Sequence, residues 1–276
     1  MSLSLQKSVY KGSILAEALT SSKELLKVLG WEGPDGGLLR RELKKFQEIV
    51  GFSSHILWMV EDILKEDTVF LDCSCGKSYL AFALNRIIKE LYGIEVFFYG
   101  VDTSPTLVER CKDMASSLGY ENMSFWRGRS IEFSPQKPVD IVLALHACDA
   151  ATDEAIAKGV RLDARYIMVV PCCQNQIRGQ IKPSQPLRAL TDLGLLRYRF
   201  ADLLTEALRA QVLRGAGYSV ELHEIVPPTV TPKNLVLTAR RLRNRRKRGM
   251  EGYKELCQLL GVRSTLEGLL PELFEG

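Results

Sequence analysis

From Thr68 onward the chain alternates short apolar segments with helical ones, and this alternation constrains the fold more than any other feature. Val69, Phe70 and Leu71 run into Asp72 and the small-residue turn CSCGKS. A helical stretch with Leu80, Leu84, Ile87 and Ile88 on one side follows, then EVFFYGVD at 95–102, a helix at about 105–118 and a short segment around MSFW. VDIVLAL at 139–145, a helix near 152–159 and YIMVV at 166–170 continue the pattern. Apolar runs of this length between helices of ten or more residues predict βαβ units and a mostly parallel sheet. SVELHEIV (219–226) and NLVLTARR (234–241), joined by PPTVTPK, predict a closing hairpin.

Around this core the pattern is helical. Ile14, Leu15, Ala18 and Leu19, then Leu25, Leu26 and Leu29, fall at helical spacing, and a second helix is expected over Leu38–Leu64. Residues 174–198, polar and carrying Pro183 and Pro186, read as an inserted loop, with a helix following over about 201–215. The tail is helical again, with Leu256, Leu259, Leu260, Leu266, Leu269 and Leu270 as its apolar positions. Three segments result: an N-terminal helical cap (1–64), the α/β domain (65–242) and a basic, helical C-terminal tail (243–276).

In open parallel sheets ligands sit beyond the carboxyl ends of the strands, where the strand order reverses. Asp72 ends the first strand and Asp102 the second, with compact residues between Asp72 and the next helix. An acid at the second position can accept hydrogen bonds from ribose hydroxyls. The same pieces fit an ordinary tight strand-to-helix connection, but acid, turn and second acid arrive in order at expected strand ends. A full G-x-G-x-x-G is missing, which disfavours a nicotinamide cofactor, and without G-x-x-x-x-G-K-[ST] a nucleoside triphosphate is disfavoured too.

LDCSCGKSYL followed by YGVDTSP resembles the first two cofactor motifs of class I S-adenosylmethionine-dependent methyltransferases. The resemblance covers about residues 40–241 and implies a Rossmann-like sheet whose last strand is antiparallel, with S-adenosyl-L-methionine as cofactor. It places Asp72, Ser74, Gly76, Ser78, Asp102, Thr103 and Leu145 at that cofactor. ALHACDAATDEAI (144–156) and VVPCCQNQI (169–177) are similar to a branch that includes the eukaryotic tRNA 2′-O-methyltransferase of the acceptor stem. Two departures stand out. Ser74 and Ser78 replace two glycines of the family turn, and Arg129 stands where the family has an acid near the adenine.

The candidate catalytic groups lie at the ends of the fourth and fifth strands. His146 and Asp149 follow VDIVLAL, and Cys172 and Cys173 follow YIMVV. Methyl transfer is an in-line displacement, so positioning supplies much of the rate. A hydroxyl acceptor would also need a base, for which His146 or Asp149 is suited. A thiolate attacking a pyrimidine ring is the alternative use of the cysteines. The structural readings are a backbone-bonded histidine and small buried thiols. C-x-C and C-C spacings are not those of common zinc frameworks, so no metal is expected.

The net charge of +4 is unevenly placed. RRLRNRRKR at 240–248 holds Arg240, Arg241, Arg243, Arg245, Arg246, Lys247 and Arg248 and no acid. Without these seven the chain would be slightly acidic. Such a run suits phosphate contacts, and RNA is the expected partner, although a charged run is often just a solvated face. No apolar stretch reaches bilayer length, no secretory core opens the chain, and seven cysteines are an odd number, so a cytoplasmic protein with free thiols is expected. Two other readings stay open: a methyltransferase of a protein or small molecule, and a non-catalytic RNA-binding protein of the same fold.

Overall fold

The computed structural model describes residues 3–145, 147–171, 175–182, 187–231, 233–243 and 250–275, with side chains from residue 12 onward. The strands form a seven-stranded sheet in the order β3-β2-β1-β4-β5-β7-β6. They are β1 (Val69–Cys73), β2 (Phe97–Asp102), β3 (Met123–Arg127), β4 (Ile141–Leu145), β5 (Tyr166–Val170), β6 (Tyr218–Glu224) and β7 (Leu235–Arg241). β1 pairs with β2, β2 with β3 and β4 with β5 in parallel, whereas β7 runs antiparallel to β5. This is the Rossmann-like sheet with a reversed final strand that the sequence predicts.

The chain forms two compact units, residues 1–140 with 224–235, and residues 141–223 with 236–276. The first holds helices α1 (Leu3–Thr20), α2 (Lys23–Leu29), α3 (Leu43–Val60), α4 (Tyr79–Tyr92) and α5 (Pro105–Ser117). Every residue of β1 is buried, as expected for a parallel strand covered on both faces. Its Phe70 stacks on Phe98 of β2 at 4.8 Å between ring centroids. β3 alternates buried and exposed residues at the edge. Ser22 and Ser104 cap α2 and α5 by accepting main-chain N–H groups, and Pro105 supplies a preset first turn. The expected helix over 38–64 is α3 preceded by a single 3-10 turn at Arg40–Glu42.

The second unit holds α6 (Ala150–Arg161), α7 (Asn175–Gln180), α8 (Arg188–Thr191), α9 (Gly194–Gly215), α10 (Met250–Leu260) and α11 (Leu266–Leu269). Residues 174–198, expected to be an irregular loop, contain α7, α8 and the first turn of α9. Leu193 just before α9, and Leu195, Leu196 and Leu203 within it, are exposed, and the buried positions of α9 begin only at Ala201. Further along, α9 turns Ala201, Leu204, Leu208, Val212 and Leu213 inward. β6 and β7 form the expected hairpin, bracketed by the bonds Leu242 N–H to Gly217 O and Ile225 N–H to Asn234 O.

Candidate active site

In the first unit, β1 delivers Asp72 to the start of a turn that β2 closes with Asp102. Ser74, Gly76 and Ser78 all take positive φ, at 54°, 57° and 50°. Glycine adopts this region freely and an L-residue does so at a cost of roughly 1–2 kcal/mol. The two serines therefore keep the shape that glycines would give and carry the strain. Ser78 offsets part of it, because its hydroxyl donates to Asp72 Oδ2 at 3.1 Å.

Asp102 closes the cradle from the other side. Its Oδ2 accepts the Gly76 N–H at 2.9 Å and its Oδ1 accepts the Ser104 N–H at 2.9 Å. A carboxylate has about four acceptor sites, so two stay open for ribose hydroxyls. A Cβ built on Gly76 would stand in open space, with no heavy atom within 4 Å, which leaves room above the turn for an adenosyl ligand. Below the turn the packing is tight. Cys111 Sγ on α5 donates to Gly76 O at 3.4 Å, and Cys75 Sγ lies 4.0 Å from the same carbonyl. A Cβ on Gly100 would stand 3.2 Å from Cys75 Sγ and 2.5 Å from the Phe125 ring, so glycine is required there.

Burial pushes the Asp72 carboxyl up to about 7, with the Ser78 hydrogen bond pulling the other way and the Asp102 charge adding a smaller upward push. The Cys75 thiol is raised by the neighbouring Cys111 thiol, by burial and by the two aspartates, so it stays a thiol near neutral pH. Thr103, next to Asp102, is exposed. Arg129 lies in the loop after β3, 55% exposed, and pairs with Glu132 at 3.8 Å.

In the second unit, Leu145 ends β4 half-buried, and Asp149 stands at the N-terminus of α6 with φ 51° and ψ −112°. No ordinary region of backbone space holds a non-glycine residue there, and such strain persists only where the surroundings enforce it. Three contacts do so. The Thr152 hydroxyl donates to Ala147 O, the Arg209 Nη2 donates to Asp149 O at 3.1 Å, and the Asp149 carboxylate accepts the Gln176 N–H at 3.1 Å. The end of β4 and the start of α7 are thereby joined.

Arg209 comes from α9 and is 1% exposed. It pairs with Asp153 at 2.7 Å and with Glu206 at 2.9 Å. The two carboxylates raise its pKa against the opposing and largest effect, burial. Asp153, expected only to begin a helix, lies in the first turn of α6 and also anchors this arginine. His146, Cys172 and Cys173 lie outside the described residues, as do Arg245, Arg246, Lys247 and Arg248. Of the basic run, Arg241 bonds the Asp163 carboxylate and carbonyl, Arg240 stacks over Tyr166 at 5.8 Å, and Arg243 is exposed.

Cys111, Gly100, Gln176 and Arg209 are the members that the sequence does not single out. Apart from Glu206, three residues before Arg209, the partners named here lie 25–60 residues away.

Residues 44–180, just under half of the chain, match a family model described as a methyltransferase domain. Curated relatives include the glutathione S-transferase C-terminal domain-containing proteins of Bos taurus, 23% identical over 218 residues, and Homo sapiens, 22% identical over 218 residues. Each alignment covers 70% of this chain, and the chain spans about a third of the relatives' length. Among solved structures, a magnesium protoporphyrin IX methyltransferase from Synechocystis with bound SAH gives a TM-score of 0.47 at 16% identity, covering 84% of this chain and all of that one. An rRNA methylase from Streptococcus thermophilus gives 0.44 at 15%, covering 69% and 96%. Likeness at this level carries no functional argument, and the fold rests on the strand order itself. The domain match is thus seated on the strands that build the cradle, within a sheet of Rossmann-like order.

Proposed function

We propose that this chain is an S-adenosylmethionine-dependent methyltransferase that acts on RNA. The observation that carries the reading is the run at 240–248, seven cations without an acid. Its first two arginines are held by Tyr166 and Asp163. The run thus leaves the last strand from a fixed point, with five further cations beyond. Cations bound to phosphates release counterions from the nucleic acid, and this supplies affinity for RNA of any sequence. The likeness of LHACD and PCCQ to the tRNA 2′-O-methyltransferase branch supports the same substrate class. In this reading Asp149 takes the proton from a hydroxyl acceptor; its carboxylate is half-exposed and keeps acceptor capacity beyond the Gln176 bond. S-adenosylmethionine would supply the methyl group from its sulfonium, and Asp102 and the Ser74–Ser78 turn would hold its adenosyl part.

The test is incubation with methyl-labelled S-adenosylmethionine and either total RNA or protein extract. Label is expected in RNA. Label confined to protein or to small metabolites overturns the reading.

A further inference from the structure

Helix α9 carries a second apolar face, turned to solvent. Leu196, Phe200, Leu203 and Ala207 follow one another at steps of four, three and four residues. They therefore lie within about 60° of one another around a helix of 3.6 residues per turn. Leu196 is 40% exposed and Leu203 68%, while Phe200 and Ala207 are half-buried. The core of the second unit takes Ala201, Leu204, Thr205, Leu208 and Val212 from another side of the helix. Past Ala207 the helix is covered again. Ala210 is buried, and α10 comes close enough that a Cβ on Gly252 would stand 3.4 Å from the Gln211 side chain. The bare face is thus about three turns long.

Exposed apolar side chains that fall in line mark a surface that another molecule covers. The width of the line selects the kind of molecule. A helix lying on a lipid surface presents a broad apolar half, whereas a strip one residue wide at four-three spacing is the seam of a helix pair. Charge then selects the partner. Arg197 and Arg199 flank the seam on opposite sides, and neither has an ion-pair partner among the described residues. The acids of this stretch do not reach the seam. Asp202 stands more than a quarter turn away from it, and Glu206 is buried against Arg209. Flanking charges of one sign favour a partner of the other sign, and a second copy would bring the same two arginines.

We propose that the bare face of α9 docks an amphipathic helix of another protein, whose apolar seam is flanked by glutamate or aspartate. This is the helix-on-helix mode of recognition, read by anchors three and four residues apart. It stands apart from the RNA reading, because none of its residues belongs to the cofactor turn or to the basic run.

The test is fluorescence anisotropy on the full chain with two labelled helical peptides of about three heptads. Both carry leucine at the seam positions, and they differ only in glutamate or lysine at the flanking ones, where like charges keep each peptide from pairing with itself. The glutamate peptide is expected to bind at micromolar concentration, about tenfold or more tighter than the lysine peptide. Leu203→Asp and, separately, Leu196→Asp are expected to weaken it about tenfold or more, with the melting temperature unchanged because both side chains are exposed. Arg197→Glu/Arg199→Glu is expected to reverse the preference between the peptides. No binding of the glutamate peptide, equal binding of both, or wild-type affinity in both leucine variants overturns the proposal. Two controls name the other occupants. A dimer in sedimentation equilibrium that Leu203→Asp dissolves gives the face to a second copy. Co-sedimentation with phosphatidylserine vesicles that the same substitution abolishes gives it to a membrane. Either result overturns the partner helix.

Discussion

The Asp149 carboxylate accepts the main-chain N–H of Gln176 at 3.1 Å, so the turn after β4 is tied to the helix that follows the PCCQ segment. Asp149 pays for this with a backbone at φ 51° and ψ −112°, and strain of this kind costs about 1–3 kcal/mol. Asparagine tolerates positive φ better than most residues and keeps an acceptor for Gln176, but it cannot take a proton. Asp149→Asn is therefore expected to unfold in urea within about 1 kcal/mol of the wild type. Its kcat is expected to fall on the order of 100-fold or more, with S-adenosylmethionine affinity unchanged. A kcat within threefold of wild type removes Asp149 from proton transfer.

Arg209 makes a second prediction. It is buried against Asp153 and Glu206, and removing one partner of a buried ion cluster leaves an unpaired charge in a dry interior. Arg209→Met is expected to cost about 3–5 kcal/mol in urea denaturation. Replacing all three charged residues with apolar ones of similar volume should restore most of that stability, since hydrophobic packing commonly equals or exceeds a buried ion pair. The triple variant would still lack the donor to Asp149 O. Stable folding with wild-type kcat would show that Arg209 does not position Asp149.

The pH dependence follows from Asp72. Its carboxyl titrates near 7 in the folded chain and near 3.8 when unfolded. Between these values the native state holds a proton that the unfolded chain has released, so stability falls as pH rises from about 4 to about 7 and then levels off. The loss from this group is about 4 kcal/mol in all. Asp72→Asn should abolish that slope and be more stable than wild type at pH 8 but not at pH 4. Ser78→Ala removes the hydrogen bond that favours the ionised form, so the slope should extend above pH 7. Parallel wild-type and Asp72→Asn stability curves from pH 4 to 8 would contradict this account.

The turn between β1 and α4 was legible in the chain because it depends on residue types at strand ends. Asp72 and Asp102 each close a run of apolar residues, and compact residues between them announce a turn. The conformations of Ser74 and Ser78 were legible only through the glycines they replace. The Cys75–Cys111 contact, the need for glycine at position 100 and the reach of Arg209 to Asp149 O arise from packing between distant segments, which neither period nor motif encodes. The start of α9 was hidden for the opposite reason. Its buried positions begin only at Ala201, so Leu195 and Leu196 belong to no buried periodic face that the sequence would show.

The first two arginines of the basic run are anchored and should behave differently from the five cations that follow. Arg241 is bonded to Asp163 and Arg240 stacks on Tyr166, so replacing them disturbs the fold before it disturbs a partner. Replacing Arg243, Arg245, Arg246, Lys247 and Arg248 with glutamine leaves those anchors intact. Each lost phosphate contact should lower the slope of log affinity against log salt concentration by about 0.7 on single-stranded RNA and about 0.9 on a duplex. The five-fold variant is thus expected to bind RNA much more weakly at low salt, with a visibly flatter salt dependence and an unchanged melting temperature. Arg241→Gln should show the reverse pattern, with a lowered melting temperature and a salt slope close to wild type. If the five-fold variant keeps the wild-type slope, the run makes no phosphate contacts, and the RNA reading loses the observation that carries it.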